Sequence, residues 1–306
     1  MATRKTICLI AVLVCLAGDV AGLAAAEEQS RQAVLLCDQY PWLAQGSLTY
    51  ARLARLPEGV VLRSGDLTIK AEQIEQQISS APQQVQAQLR ANACYILENM
   101  ATRQLLLRLA RADLAGTDQM QLLEGFLKGL VADVNVSDGD VERFYQENKD
   151  AIGPVGLEQV KDQIRQLLLQ QRQRERLQTY VQTLGKRMPI EVSDSWARTQ
   201  ATLAKENPVD KARSSGLPSL VDFGSAGCIP CQMMAPILDK LGSEYAGRLN
   251  VVFVHTGHEQ VLAARYQIEA IPTQIFYDKN GREVYRHVGF MPEEQIRQQL
   301  KQMGID

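Results

Sequence analysis

Excess charge of one sign is the first thing this sequence lacks. Its 33 Lys and Arg stand against 35 Asp and Glu over 306 residues, a formal net charge of −2, and no long basic run concentrates the cations. Recognition of a polyanion needs a cationic patch or stripe, so nucleic acid is excluded as a partner. A nucleotide-binding fingerprint is also missing, so any redox cycle must draw its electrons from an external partner. Beyond the first residues there is no long apolar run. The stretch Thr6 to Gly18, behind Arg4 and Lys5, is too short for a comfortable membrane span. It is followed by Gly22-Leu23-Ala24-Ala25-Ala26, and the small Ala24 and Ala26 suit the pockets of a signal peptidase. Residues 1–26 therefore read as a secretory signal peptide cleaved after Ala26, with an uncleaved membrane anchor as the alternative. The bulky Val14 before Cys15 argues against a lipid-modified cysteine. The expected location is the periplasm or another exported compartment.

Cysteine is sparse. Cleavage removes Cys8 and Cys15 and leaves Cys37, Cys94, Cys228 and Cys231, an even number in an oxidising compartment. Cys37 and Cys94 have two readings, a structural disulfide or two buried free thiols. The length exceeds the usual single domain of about 100–150 residues, so two domains are expected.

Residues 27–58 read as a segment packing on the domain that follows. Within 59–192, Gly59–Arg63 and Leu67–Ile69 flank the turn signal Ser64-Gly65-Asp66 as two short strands. Helices follow from about Ala71 to Ser79, and from Pro82 through Leu89, Ala93, Ile96, Leu97 and Met100 at helical spacing. Another carries Leu122 to Leu130. Ser137-Asp138-Gly139-Asp140 has the pattern of a helix N-terminal cap. A long Gln- and Arg-rich helix is expected from about Leu157 to Gly185, then a strand over Pro189–Val192. The polar 193–217 reads as a linker with short helices, and 218–306 as a second domain.

The motifs VSDGDVERFYQENKD and LEQVKDQIRQLLLQQRQRERLQTYVQTLGKRMPIEV give 59–192 a resemblance to the helical chaperone domain of SurA-type proteins and their parvulin relatives. In that family a prolyl isomerase module sits between the two motifs. Here only Ala151 to Gly156 separates them, so the resemblance implies a mostly α, chaperone-like scaffold without isomerase activity.

The second domain carries the chemistry. Cys228-Ile229-Pro230-Cys231 can cycle between dithiol and disulfide, and Asp222 lies six residues upstream inside the apolar run Leu220–Phe223. A strand turning into a helix there would put Cys228 at the helix N-terminus, where unpaired amides stabilise a thiolate. Two other readings use the same cysteines: a purely structural disulfide, or a metal site completed by His255 and His258. The metal reading misses the usual finger spacing and leaves Pro272 unexplained. No metal or other cofactor is expected beyond the redox-active disulfide Cys228–Cys231 itself.

The residues LVDFGSAGCIPCQMMAPILDKLGSEYAG, YQIEAIPTQIFYDKNG and HVGF closely resemble thioredoxin across the C-terminal third. The resemblance implies an α/β fold with a central mixed sheet flanked by helices, and thiol–disulfide oxidoreductase activity. By position it makes Cys228 the nucleophile, Cys231 the resolving thiol and Asp222 the acceptor of its proton. It implies a cis Ile271–Pro272 peptide and a substrate groove along Gly227, Ile229, Pro230, Ile271, Pro272 and Gly289. Three departures bear on this. Gly224 and Gly227 stand where the family carries tryptophans, and Phe253 stands where it carries a lysine. Pro230 before the second cysteine resembles the reducing members, near about −270 mV, more than strong oxidants near about −120 mV. The expected function is a periplasmic thiol–disulfide oxidoreductase, reductase or isomerase in direction, with a client-binding or positioning domain. Its partners would be disulfide-containing or unfolded exported proteins and a redox partner such as a membrane thiol reductase. The alternative from another class is a holdase chaperone whose CxxC is a switch or a structural disulfide.

Overall fold

The computed structural model describes residues 34–306. The leader expected over 1–26, with Cys8 and Cys15, lies outside the described residues. In chain order the elements are α1 (Leu36–Gln39), a 3-10 turn (Ser47–Tyr50), β1 (Arg52–Ala54), β2 (Val60–Ser64), β3 (Leu67–Lys70), α2 (Ala71–Ser80), α3 (Gln83–Ala91), α4 (Ala93–Asp113), α5 (Gln119–Leu130), α6 (Asp138–Glu147), α7 (Lys149–Ile152) and α8 (Leu157–Arg187). Then come β4 (Glu191–Ser193), α9 (Asp194–Ala204), α10 (Pro208–Arg213), β5 (Ser219–Gly224), α11 (Ile229–Glu244), β6 (Asn250–His255), α12 (Gln260–Arg265), β7 (Thr273–Tyr277), β8 (Glu283–Val288) and α13 (Glu293–Gln302). Among the described residues no helix is long and apolar enough to cross a membrane.

The first half closes through a small sheet in the order β1-β4-β2-β3. The β2–β3 hairpin follows from its Gly65 turn, whereas β1 and β4 pair in parallel although their partners Arg52 and Glu191 are far apart in sequence. The intervening helices pack on this sheet through Leu62, Ile69, Leu97, Leu105 and Leu184. Residues 34–58 supply Leu36, Leu43, Leu48 and Ala51 to the same core. Glu98 on α4 is buried and accepts hydrogen bonds from the Gly46 and Leu48 amides at 2.8 and 3.0 Å, which ties the 3-10 turn to the helix layer. Helices α6 and α7 and the first turns of α8 form a separate small core around Val141, Tyr145 and Ile164. Helix α8, 31 residues and roughly 46 Å long at about 1.5 Å per residue, links this small core at its first turns to the main core at Leu184. The expected cap at Ser137 is present: its hydroxyl accepts from the Asp140 amide and the Asp140 carboxylate accepts from the Ser137 amide.

Two expectations need correction, and the open choice at Cys37 and Cys94 is decided for free thiols. The helix opened at Pro82 is two helices, because Asn92 leaves the helical region at φ −118° and ψ 29° and turns its side chain to Gln88 O and to Arg265 of the second domain. Cys37 and Cys94 are not bonded to each other. Cys37 lies half-exposed beside Asp38, while Cys94 is buried in α4, where loss of solvation pushes its thiol pKa far up. The polar stretch after residue 193 is also built into both cores. Ala197, Ala201 and Ala204 of α9 belong to the first, and Val209 of α10 to the second.

The second half is a four-stranded sheet in the order β6-β5-β7-β8, with β5 and β6 parallel and the other pairs antiparallel. Side-chain alternation splits its core in two. Leu220 and Phe276 face α11 and α13 with Met234, Leu238, Ile296 and Leu300. Val221, Phe223, Ile275 and Tyr277 face α12 with Leu262 and Tyr266.

The two halves meet around one buried carboxylate. Asp210 accepts from Arg265 at 2.5 Å, Tyr266 at 2.7 Å and Asn207 at 2.8 Å. Arg265 also donates to Asn92 at 2.8 Å and to the Trp42 carbonyl, and Arg213 donates to the Pro41 carbonyl at 2.8 Å. Around this carboxylate, Pro41, Trp42 and Asn92 of the first half are each held by an arginine of the second. Buried guanidinium groups with a carboxylate and carbonyls at fixed positions give the contact one geometry.

Candidate active site

Strand β5 ends at Gly224, and the chain turns through Ser225-Ala226-Gly227 into α11 with Cys228 as its N-cap. Pro230 occupies the first turn, where its missing N–H costs nothing. The Cys231 amide therefore becomes the donor aimed at Cys228, at 3.2 Å from its Sγ. Gln232 pins the loop by donating to the Ala226 carbonyl at 2.7 Å. Cys228 and Cys231 form a disulfide with Cα atoms 5.2 Å apart. Their environments differ: Cys228 is half-buried, whereas Cys231 is only 4% exposed.

The Ile271–Pro272 peptide is cis, and the Ile271 carbonyl lies 3.8 Å from Cys228 Sγ. The Pro272 carbonyl is taken by the Gly289 amide at 2.8 Å. Gly289 has φ +104°, and a β-carbon on either Gly289 or Gly227 would meet nothing within 4 Å. Both glycines leave open space beside the disulfide, and Ile229 stands 72% exposed on its rim. The proposed groove residues are thus brought around Cys228.

Asp222 is fully buried on the α11 face of β5, two residues before Gly224. A β-carbon at Gly224 would lie 3.3 Å from Cys231 Sγ, so residues of that face look onto the buried sulfur. Burial pushes the Asp222 carboxyl up to about 6, against a partial opposing effect of the Gln274 amide, which donates to Oδ1 at 2.7 Å. Gln274 stands directly across the β5–β7 ladder from Asp222. It was not singled out in sequence, although a glutamine inside the apolar Thr273–Tyr277 strand is a signal of the same kind as Asp222 in its own strand.

The missing tryptophan at Gly224 has a spatial explanation. A β-carbon there would come 2.9 Å from the Phe253 ring, so the aromatic surface comes from the neighbouring strand. His255 and His258 stack on each other with centroids 4.0 Å apart, and His255 Nε2 faces the Ala226 amide at 3.5 Å. A cavity of about 600 Å³ lies away from this site, beside Cys37, Pro41, Arg213 and Arg286.

A half-exposed cysteine at a helix N-terminus, a buried partner, a buried carboxyl on the same face and a cis-proline opposite define a thiol–disulfide exchange domain. The thioredoxin family model matches residues 200–302. A thioredoxin-like protein of Synechocystis is 39% identical over 95 residues, which is 31% of this chain and 90% of that protein. Thioredoxin 1 of Chlorobaculum tepidum is 40% identical over 96 residues, 31% of this chain and 94% of the relative. A mutant thioredoxin structure from Halobacterium salinarum is 25% identical with a TM-score of 0.29, covering 31% of this chain and 81% of that one. Through its C-terminal domain the chain belongs to the thioredoxin family. The family model covers about a third of the chain and these relatives 31% of it.

Proposed function

We propose that the protein is an exported thiol–disulfide oxidoreductase working in the reducing or isomerising direction, with its helical half holding or positioning clients. The observation that carries this reading is the asymmetry of the cysteine pair: Cys228 is reachable and receives the Cys231 amide, while Cys231 is buried on the face of Asp222. In the dithiol form the Cys228 thiolate attacks a client disulfide. A Cys228–client bond forms, the client S–S bond breaks, and the departing client thiolate takes a proton from solvent. Cys231 then gives its proton to Asp222 and attacks Cys228. The intramolecular disulfide forms and the second client sulfur leaves as thiolate. The client is reduced by two electrons and the protein is oxidised by two. An external dithiol must restore the starting form, and a membrane thiol reductase is the partner class that suits an exported protein.

The helical half supports this reading by its attachment. Gln88 of α3 donates to the His258 carbonyl at 2.6 Å and accepts from Val261, and Arg174 of α8 pairs with Glu269, three residues before the cis-proline. A client held by those helices would sit near Cys228 at raised effective concentration. Export rests on the sequence expectation of a signal peptide over residues 1–26, which lie outside the described residues.

Insulin reduction driven by dithiothreitol tests the proposal. The native chain should accelerate it and Cys228→Ser should not, with suppression of client aggregation retained in both. Equal turnover by the two proteins would overturn the catalytic role. Trapping in cells with Cys231→Ala should capture exported clients as mixed disulfides that are absent from a Cys228→Ser, Cys231→Ala control.

A further inference from the structure

The proton-accepting carboxyl has one protein partner, and that partner is neither of the cysteines nor a cation. Asp222 Oδ1 accepts from Gln274 Nε2 at 2.7 Å, whereas Oδ2 is buried and receives no hydrogen bond from any described residue. The Gln274 carbonyl oxygen is likewise buried without a donor. A glutamine fully buried with half of its amide unpaired costs stability and earns no packing that Leu or Met would not supply. Strand register places it there for one contact: Asp222 and Gln274 are directly paired across β5 and β7, on the α11 face that also looks onto Cys231.

Resting on the exchange reading above, we propose that Gln274 is the positioning residue of the dithiol's proton acceptor: its amide fixes Oδ1 of Asp222 and leaves Oδ2 as the atom that takes the proton of Cys231. A single neutral donor has the right strength for this task. A fully charged partner such as lysine would hold the carboxylate ionised more firmly, and no partner at all would keep it protonated. The family's lysine position is Phe253 here, so the donor comes from the opposite neighbouring strand. The titratable groups that helix position and strand register place nearest Asp222 on its own face are Cys231 on α11, His255 on β6, which pairs with Gly224, and His287 on β8, which pairs with Gln274. Asp239, Lys240 and Glu244 lie further along α11, and Tyr277, Glu283, Tyr285 and Arg286 at other positions of β7 and β8. No Lys, Arg, Asp or Glu contributes to the Asp222 shift.

The test replaces Gln274 with Met, which keeps the length and removes the donor. Gln274→Leu serves if Met does not fold. In the disulfide form, the Asp222 carboxyl is titrated by carbon NMR, its signal assigned with Asp222→Asn. In the dithiol form, reaction with Ellman's disulfide releases two thionitrobenzoate anions. The first comes from attack by Cys228 and the second from resolution by Cys231, with Cys231→Ala giving only the first. Loss of a hydrogen bond to a charged group should move the carboxyl titration up by about one pH unit or more. The acidic limb of the second release should move up with it, while the first release keeps its profile. A carboxyl that titrates as in the native chain overturns the positioning role. A titration that moves while the second release stays in place overturns Asp222 as the acceptor. Failure of the exchange reading is separate, because it shows as insulin turnover that survives Cys228→Ser, and the NMR titration does not depend on turnover.

Discussion

Replacing Asp222 with Asn should stabilise the disulfide form at neutral pH by an amount that disappears in acid. The side chain is fully buried, and its carboxyl is pushed up to about 6 from the 3.8 of a free aspartate, chiefly by loss of solvation. A carboxyl that binds its proton more tightly folded than unfolded stabilises the fold where both states are protonated and weakens it where only the unfolded state has ionised. Below about pH 4 the penalty is absent, between about pH 4 and 6 stability falls as pH rises, and above 6 the full penalty applies. At about 1.36 kcal/mol per pH unit the penalty is roughly 3 kcal/mol. Asparagine keeps an oxygen for the Gln274 donor, but its amide takes the unpaired side, so a net gain of about 2 kcal/mol is expected. Urea unfolding of both proteins, followed by circular dichroism at about pH 7.5 and about pH 4, measures it. An equal difference at the two pH values, or a less stable Asn variant at the higher one, would refute the desolvation argument.

Asp210→Ala should cost about 3–5 kcal/mol in urea unfolding, because Arg213 and Arg265 would stay buried without their carboxylate. A loss below about 1 kcal/mol would show that the junction does not depend on it. Gly224→Ala should lose about 1–3 kcal/mol through its clash with Phe253, and Phe253→Ala should recover most of that loss in a double-mutant cycle. Strict additivity would contradict the packing described here. Alkylation and peptide mapping should label Cys37 in the native chain, slowly because burial and Asp38 raise its pKa, and Cys94 only after unfolding. A peptide linked through Cys37 and Cys94 would contradict the free-thiol state.

The attachment of the helical half bears on the proposed activity. Gln88 and Arg174 reach the segments that follow β6 and precede the cis-proline, while the Ile229, Met233 and Val288 side remains exposed. A client would therefore meet Cys228 from that open side, with the cis-proline strand next to it.

Much of the second domain was readable from sequence because its constraints are local. Short apolar strands, the Cys-Ile-Pro-Cys turn and Pro272 each specify their own backbone, and the apolar run Leu220–Phe223 lies inside β5, which ends at Gly224. Strand β1, the break at Asn92 and the burial of α9 and α10 were not readable. They depend on partners far away in sequence: Glu191 for Arg52, Arg265 for Asn92, and two separate cores for Ala197 and Val209. The same division applies to the site. The sequence by itself determined which cysteines could exchange and that Asp222 was out of place in an apolar strand. Only the tertiary structure decided that Cys228 is reachable while Cys231 is not, that Cys37 and Cys94 stay apart, and that Gln274 is the partner of Asp222, because burial and cross-strand register arise from contacts no local pattern encodes.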